Sequence, residues 1–202
     1  MKDKLVILGA GGHGRVARDV ALLCGYKTVV FLDDAERDDV ETAGKTSEYG
    51  KFVDEYDFFV ALGDNKIRER ITDTLVSGKA NVVSLIHPSA ILGMDVKIGN
   101  GTIVMAGAVV NTGAVLGNGV IVNTASSVDH DNVLDDFCHV AVGVHLAGTV
   151  KIGKCAFVGA GSVVVNNISI CSDAIIGAGA VVVKDINEKG TYVGVPAVKI
   201  KD

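Results

Sequence analysis

The 202-residue chain has no tryptophan, only 5% aromatic residues and two prolines. A core built around large rings is therefore excluded, although 49% of the residues are hydrophobic. Its four cysteines, Cys24, Cys138, Cys155 and Cys171, form no CxxC pair, so neither a disulfide framework nor a paired-thiol redox motif is indicated. Reduced, packed thiols are the expectation. The net charge of -5 argues against a general nucleic-acid binder, and no basic amphipathic stretch suggests a membrane surface. The apolar run that ends at Gly9 is too short for a membrane span or a signal peptide, which points to a cytoplasmic protein.

What is abundant is aliphatic residues in strict register. From Leu92 through Ile98, Val104, Val110 and Leu116 to Val182, every sixth residue is Val, Ile or Leu. The residue two before is usually small or β-branched, as in Thr102, Ala108, Ser126 and Ala156, and the residue after is often glycine. A period of six fits neither an α-helix nor an open strand. It fits a chain wound as a triangular prism of short strands and corners, with the aliphatic residue pointing down the axis and glycine relaxing the corner. Three units close one coil, so residues eighteen apart stack and each coil buries its face only against its neighbours.

The first part of the chain reads differently. KLVILGA at 4–10 is a buried strand, followed by glycine-rich sequence, a helix over 15–24 and a second strand at 28–32. Residues 35–56 read as irregular, 57–62 as a third strand, 65–77 as a helix and 81–86 as a fourth strand. The expected fold is thus α/β plus all-β: a small Rossmann-like parallel-sheet domain at 1–87, then a left-handed parallel β-helix of hexapeptide repeats at 88–186. A C-terminal tail at 187–202 leaves the register near Pro196.

Two places carry chemistry. Gly9-Ala10-Gly11-Gly12-His13-Gly14 satisfies G-x-G-x-x-G between a strand and a helix, where a diphosphate can approach the backbone. Asp33-Asp34, at the end of the second strand, stands where a ribose-hydroxyl acceptor belongs, and Gly63 falls on the same sheet edge. A domain this small lacks a second mononucleotide half, so a nucleotide linked to something smaller fits better than NAD. In the repeat, His130 lies near a corner between Asp129 and Asp131, either of which could orient its ring and raise its basicity as a general base requires. His139 and His145 precede inward aliphatics and should face outward. Three histidines raise a zinc reading, but no Cys/His ligand spacing supports it and no metal is expected.

The segments GAGGHGRV at 9–16, FLDD at 31–34, YDFFVALGDNKIR at 56–68, SLIHPSA at 84–90, the stretch 123–155 and KGTYVGVPA at 189–197 resemble those of the hexapeptide-repeat sugar acyltransferases of the NeuD/PglD-like family. The bacillosamine-pathway N-acetyltransferases among them are most similar. The resemblance implies acetyl-CoA-dependent acetylation of the 4-amino group of a UDP-4-amino-4,6-dideoxy-N-acetyl sugar by a homotrimer with active sites between subunits. Carried over by position, it makes His130 the catalytic base and Asp131 the neighbour that raises its basicity, where the family's bacillosamine enzyme has glutamate. It assigns acetyl-CoA contacts to His139, Gly148, Ala160 and Ala178, and nucleotide-sugar contacts to Gly11, Gly12, His13, Asp33, Asp34 and Gly63. The alternatives are a GDP- or dTDP-linked 4-amino sugar, a sialic-acid-type sugar O-acetyltransferase, and a non-catalytic scaffold or nucleotide sensor.

Overall fold

The structure is a computed structural model that describes residues 2–35 and 38–201. It opens with β1 (Lys4–Leu8), α1 (Gly12–Leu23), β2 (Thr28–Leu32), β3 (Asp57–Val60) and α2 (Asn65–Ser77). The three strands form a parallel sheet in the order β2-β1-β3. β1 and β3 read as near-continuous apolar runs because helices cover both sides of the sheet. α1 packs on Leu5, Ile7 and Phe59, while α2 covers Val6, Leu8 and Phe58 through Leu75.

The hexads form a parallel β-helix with three faces. The first face runs from Leu85–Ile86 through Ile121–Val122 and His139–Val140 to Ile175–Ile176. The second carries Ser127–Val128 and His145–Leu146, and the third Val133–Leu134 and Lys151–Ile152. Strand pairs align residues eighteen apart, such as Val122 with Val140 and Val128 with Leu146. The inward aliphatics Val104 to Val182 are at most 2% exposed and fill one continuous core.

Two expectations change. Residues 81–86 do not add a fourth strand to the first sheet. Val82 makes only an isolated bridge to Phe58, and Leu85–Ile86 already pairs with Ile103–Val104 of the β-helix. Residues 46–52, read as irregular, form a 3-10 helix whose N-terminus is held by Glu48 on the Lys45 N–H. In the tail, Thr191–Val193 extends the first face and Val198–Lys201 returns antiparallel to it.

The corners refine the role of glycine. Every sixth residue from Asp95 to Gly179 has positive φ, including the non-glycines Ala125, Asp131, Phe137, Thr149 and Cys155. These stand three residues after the inward aliphatic. The glycines directly after it serve close stacking instead: a Cβ on Gly99 would lie 2.5 Å from the Gly117 backbone of the next coil. All four cysteines are free thiols.

The N-terminal domain docks on the first face. Leu85, Ile103, Met105 and Ile121 share one buried cluster with Leu5, Ile7, Ala17, Val20 and Phe59. Continuing outward along that column, His139 is still 9% exposed, whereas Ile175 is 46% exposed. Coverage of the face therefore ends beyond His139.

Candidate active site

The glycine turn separates into glycines that pack and glycines that leave room. Gly9 has φ of 102°, and a Cβ there would lie 2.8 Å from the Ala61 carbonyl. At Gly14 a Cβ would fall 1.9 Å from the Gly9 carbonyl, so only glycine lets α1 start this close to the end of β1. At Gly12 and Gly63 a Cβ would meet nothing within 4 Å. Gly11 is the N-cap of α1 and has no side-chain cap. The first-turn N–H groups of α1, with the positive end of its dipole, thus face the space beside Gly12, the arrangement that binds phosphate.

Asp33 ties this turn to the second strand. Its carboxylate accepts from the Ala10 N–H at 2.8 Å and the Ala35 N–H at 2.9 Å. The Asp34 carboxylate accepts from the Thr46 N–H at 2.9 Å and the Thr46 hydroxyl at 2.7 Å, anchoring the 3-10 segment. Both stand at the sheet edge beside the glycines, and both also shape the loops that frame it.

His139 belongs to this region of its own chain. It faces outward from the prism as its register requires, but the docked domain buries it. Its ring meets Phe157 edge-on at 5.1 Å, its Nε2 lies 3.2 Å from Asn123 Nδ2, and it neighbours His13, Gly63 and Arg68. Burial, then the Arg68 charge, pushes His139 down to about 3 and His13 down to about 4. Near neutral pH both imidazoles are uncharged. Among the described residues His139 Nδ1 and His13 Nε2 make no hydrogen bond of good geometry.

His130 lies elsewhere. Its turn joins the second face to the third, the corner of the prism opposite the face on which the N-terminal domain sits. Asp131 takes the positive-φ position, with φ of 58°, which short polar side chains tolerate. Its Oδ2 lies 2.9 Å from His130 Nδ1. Asp129 accepts from the His130 backbone N–H at 2.8 Å and from Asn111 Nδ2 at 2.7 Å. The ring partner is therefore Asp131, and Asp129 holds the backbone of the turn. A hydrogen bond accepted by Asp131 places the ring proton on Nδ1 and leaves Nε2 with the lone pair. That Nε2 lies over Gly148, where a Cβ would come within 2.4 Å of it. Beneath the turn, buried Asn132 donates to the carbonyls of Asp129 (2.7 Å) and Ala147 (3.0 Å) and accepts from the Val150 N–H (2.9 Å). It locks the His130 coil to the next, a role hidden in the sequence because Asn132 occupies an inward small-residue position.

The Asp131 hydrogen bond, then the Asp129 charge, holds His130 above the ordinary imidazole range. A raised pKa makes a stronger base but leaves it protonated over more of the acid range. A His130-dependent rate should therefore rise with pH through that raised pKa. Asp131→Asn removes the cause, so the acid limb of the kcat/KM profile should move to lower pH while the plateau falls by about tenfold, part of what a general base supplies. An unchanged limb would detach Asp131 from the base.

Ala160 and Ala178 are exposed at the third kind of corner, between the first and second faces, and are joined by the Gly179 N–H to Ala160 carbonyl bond of 2.9 Å. The site residues thus fall into three groups on one chain: His130, Asp131 and Gly148; the glycine turn with Asp33, Asp34, Gly63 and His139; and Ala160 with Ala178. Among the described residues no group of three or more His, Cys, Asp or Glu side chains could hold a metal.

Residues 4–75 match the model of the PglD N-terminal domain. The acetyltransferase domain of PglB from Neisseria gonorrhoeae is 39% identical, with a TM-score of 0.94 over 98% of this chain and 100% of that one. PerB from Caulobacter crescentus, solved with CoA and GDP-perosamine, is 34% identical with a TM-score of 0.93, covering 98% of this chain and 97% of PerB. A UDP-N-acetylbacillosamine N-acetyltransferase from Bacillus subtilis is 33% identical over 112 residues, 50% of this chain and 51% of the relative. The match thus spans about half the length of that curated relative. By fold, by the matched N-terminal domain and by full-length likeness, the chain belongs to the NeuD/PglD-like family of hexapeptide-repeat sugar acyltransferases.

Proposed function

We propose that the chain is an acetyl-CoA-dependent N-acetyltransferase acting on the 4-amino group of a nucleotide-linked amino sugar, with a UDP-4-amino-4,6-dideoxy-N-acetyl sugar as its substrate. The observation that carries this reading is the His130–Asp131 pair, whose Nε2 lies over a glycine on an exposed corner. An uncapped helix N-terminus behind open glycines supplies the diphosphate site. The acetyltransferase domain of PglB has also been solved with acetyl coenzyme A, which supports the acyl donor.

In the reaction the sugar amine attacks the thioester carbonyl and His130 Nε2 takes its proton. The tetrahedral intermediate collapses with loss of the CoA thiolate, which receives the proton from His130. No acyl-enzyme forms, because the amine is itself the nucleophile. Gly148, Ala160 and Ala178 hold the coenzyme along the coils, and His139 joins them from a neighbouring chain. Gly11, Gly12, His13, Asp33, Asp34 and Gly63 hold the nucleotide sugar.

His130 stands on the corner opposite the face that carries the nucleotide domain, which supports an active site assembled from two chains. In this reading a second copy brings its nucleotide domain to this corner, in a homotrimer with sites between subunits. No helix among the described residues is long and apolar enough to cross a membrane.

A second reading is a GDP-linked 4-amino sugar, favoured by the likeness to PerB along almost the whole chain. Incubation with acetyl-CoA and a panel of UDP-, GDP- and dTDP-4-amino sugars, read by thiol release, separates the two. Highest kcat/KM with the UDP sugar is expected. Preference for the GDP sugar selects the second reading, and turnover of none of them rejects both.

A further inference from the structure

Asn65 and Arg68, in the YDFFVALGDNKIR segment, have no part in the proposed chemistry, yet Arg68 is the largest fully buried side chain, 1% exposed. Among the described residues no carboxylate pairs with it. Its donors go to backbone carbonyls: Nε to Gly119 at 2.8 Å, Nη2 to Phe137 at 2.7 Å, and Nη1 to Leu62 at 2.9 Å and Gly63 at 3.4 Å. Nη2 also donates to Asn65 Oδ1 at 2.8 Å, and Asn65 Nδ2 donates to the carbonyls of Cys155 at 2.9 Å and Ala156 at 3.1 Å.

Gly119, Phe137 and Cys155 are successive members of one corner column, with φ of 61°, 59° and 57°. The coil ladder uses the carbonyl one residue earlier, Asn118 for the Phe137 N–H and Asp136 for the Cys155 N–H, which leaves these carbonyls to the helix. Coils repeat about every 4.8 Å, and two helical residues three apart are separated by about 4.5 Å along the axis. The Asn65-x-x-Arg68 spacing therefore matches the coil repeat. Lys66 continues the ladder to Asp173, the next residue of the column, at 2.7 Å, and Lys154 pairs with Glu69 at 2.5 Å.

We propose that Arg68 and Asn65 are positioning residues: by reading the corner carbonyls of three consecutive coils they fix the Leu62–Gly63 loop against the β-helix and shape the nucleotide-sugar pocket at Gly63, His13 and His139. The functional part of this rests on the nucleotide-sugar reading above. The titratable and charged groups gathered there are His13 from α1, Asp64 at the N-cap of α2 and Arg68 within it, and Cys138, His139 and Cys155 from the β-helix. The same guanidinium adds to burial in keeping the two imidazoles uncharged.

The test uses Arg68→Met, Arg68→Lys and Asn65→Ala in the full chain. Arg68→Met should raise KM for the nucleotide sugar about tenfold or more, with KM for acetyl-CoA changed less than about twofold. Arg68→Lys, which reaches fewer carbonyls, should fall between. Amide hydrogen exchange at residues 62–68 should quicken in Arg68→Met and Asn65→Ala, and the His13 and His139 imidazole resonances of Arg68→Met should titrate at higher pH than in the parent. Unchanged exchange and titration in these folded variants would overturn the proposal. So would parallel losses in both KM values and in Tm across all three, which would mark a purely structural role. If the parent protein turns over none of the sugars, the nucleotide-sugar reading fails, while exchange and titration still decide whether the ladder holds the loop.

Discussion

His130→Ala is expected to lower kcat by about 10² to 10⁴, the usual contribution of a general base, with little change in KM for either substrate. The ring is exposed, and its removal costs the fold the hydrogen bond with Asp131 and the packing over Gly148. The turn itself is held by other bonds: Asp129 on the His130 N–H, Asn132 across to Ala147 and Val150, and the Thr149 N–H on the His130 carbonyl at 2.9 Å. None depends on the imidazole. Thermal unfolding should accordingly stay within about 2 °C of the parent, as for a surface substitution away from buried features. Steady-state kinetics with the accepted nucleotide sugar provide the check, and near-normal kcat would remove His130 from the chemistry.

The largest effect on stability should come from Gly14→Ala. The added methyl would sit 1.9 Å from the Gly9 carbonyl oxygen, a backbone atom that cannot rotate away. Gly9 is fixed in turn by its N–H on Leu32 at 2.9 Å and by its own approach to Ala61. Relief requires α1 to lift off β1, although Ala17, Val20 and Ala21 pack α1 into the cluster shared with the β-helix. A loss of about 3 kcal/mol or more follows, equivalent to about 10 °C in Tm, or failure to fold. Gly12→Ala, two residues earlier, meets nothing within 4 Å and should leave Tm nearly unchanged while weakening UDP binding, because the methyl enters the space the diphosphate needs. Thermal unfolding and UDP calorimetry on both variants test the contrast. Equal Tm values for the two would show that the turn is not packed as described.

Much of this was legible in the sequence because its signals are local or strictly periodic. The sixfold aliphatic repeat names the inward residues from Val104 to Val182, and eighteen-residue stacking follows from it. The strand, glycines and helix at 4–24 announce the turn between β1 and α1, and Asp129-His130-Asp131 marks the corner where a carboxylate meets the imidazole. Which carboxylate holds the ring was not legible, because it depends on the positive φ of Asp131 turning that side chain toward Nδ1.

What the sequence hid depends on pairing at a distance. The apolar run 81–86 suits either sheet, and only the fit of Leu85 against Ile103 and α1 assigns it to the β-helix. The burial of His139 had an unread signal: the outward column Leu85, Ile103, Ile121, Phe157 and Ile175 is apolar where solvent-facing residues belong, so something must cover it. Arg68 reads as an ordinary charged residue of α2, and its carbonyl partners come from coils far along the chain.

We propose that each active site takes its parts from two copies, because one chain carries His130 and the glycine turn on opposite sides. The most direct measurement mixes chains bearing His130→Ala with chains bearing Gly12→Ala, each poorly active alone, in co-expressed oligomers whose mixed composition is verified by mass. Sites that pair His130 of one chain with the intact glycine turn of another should restore thiol release well above either variant alone. Mixed oligomers no more active than the parent variants would place both halves of the site on one chain and rule out a shared site.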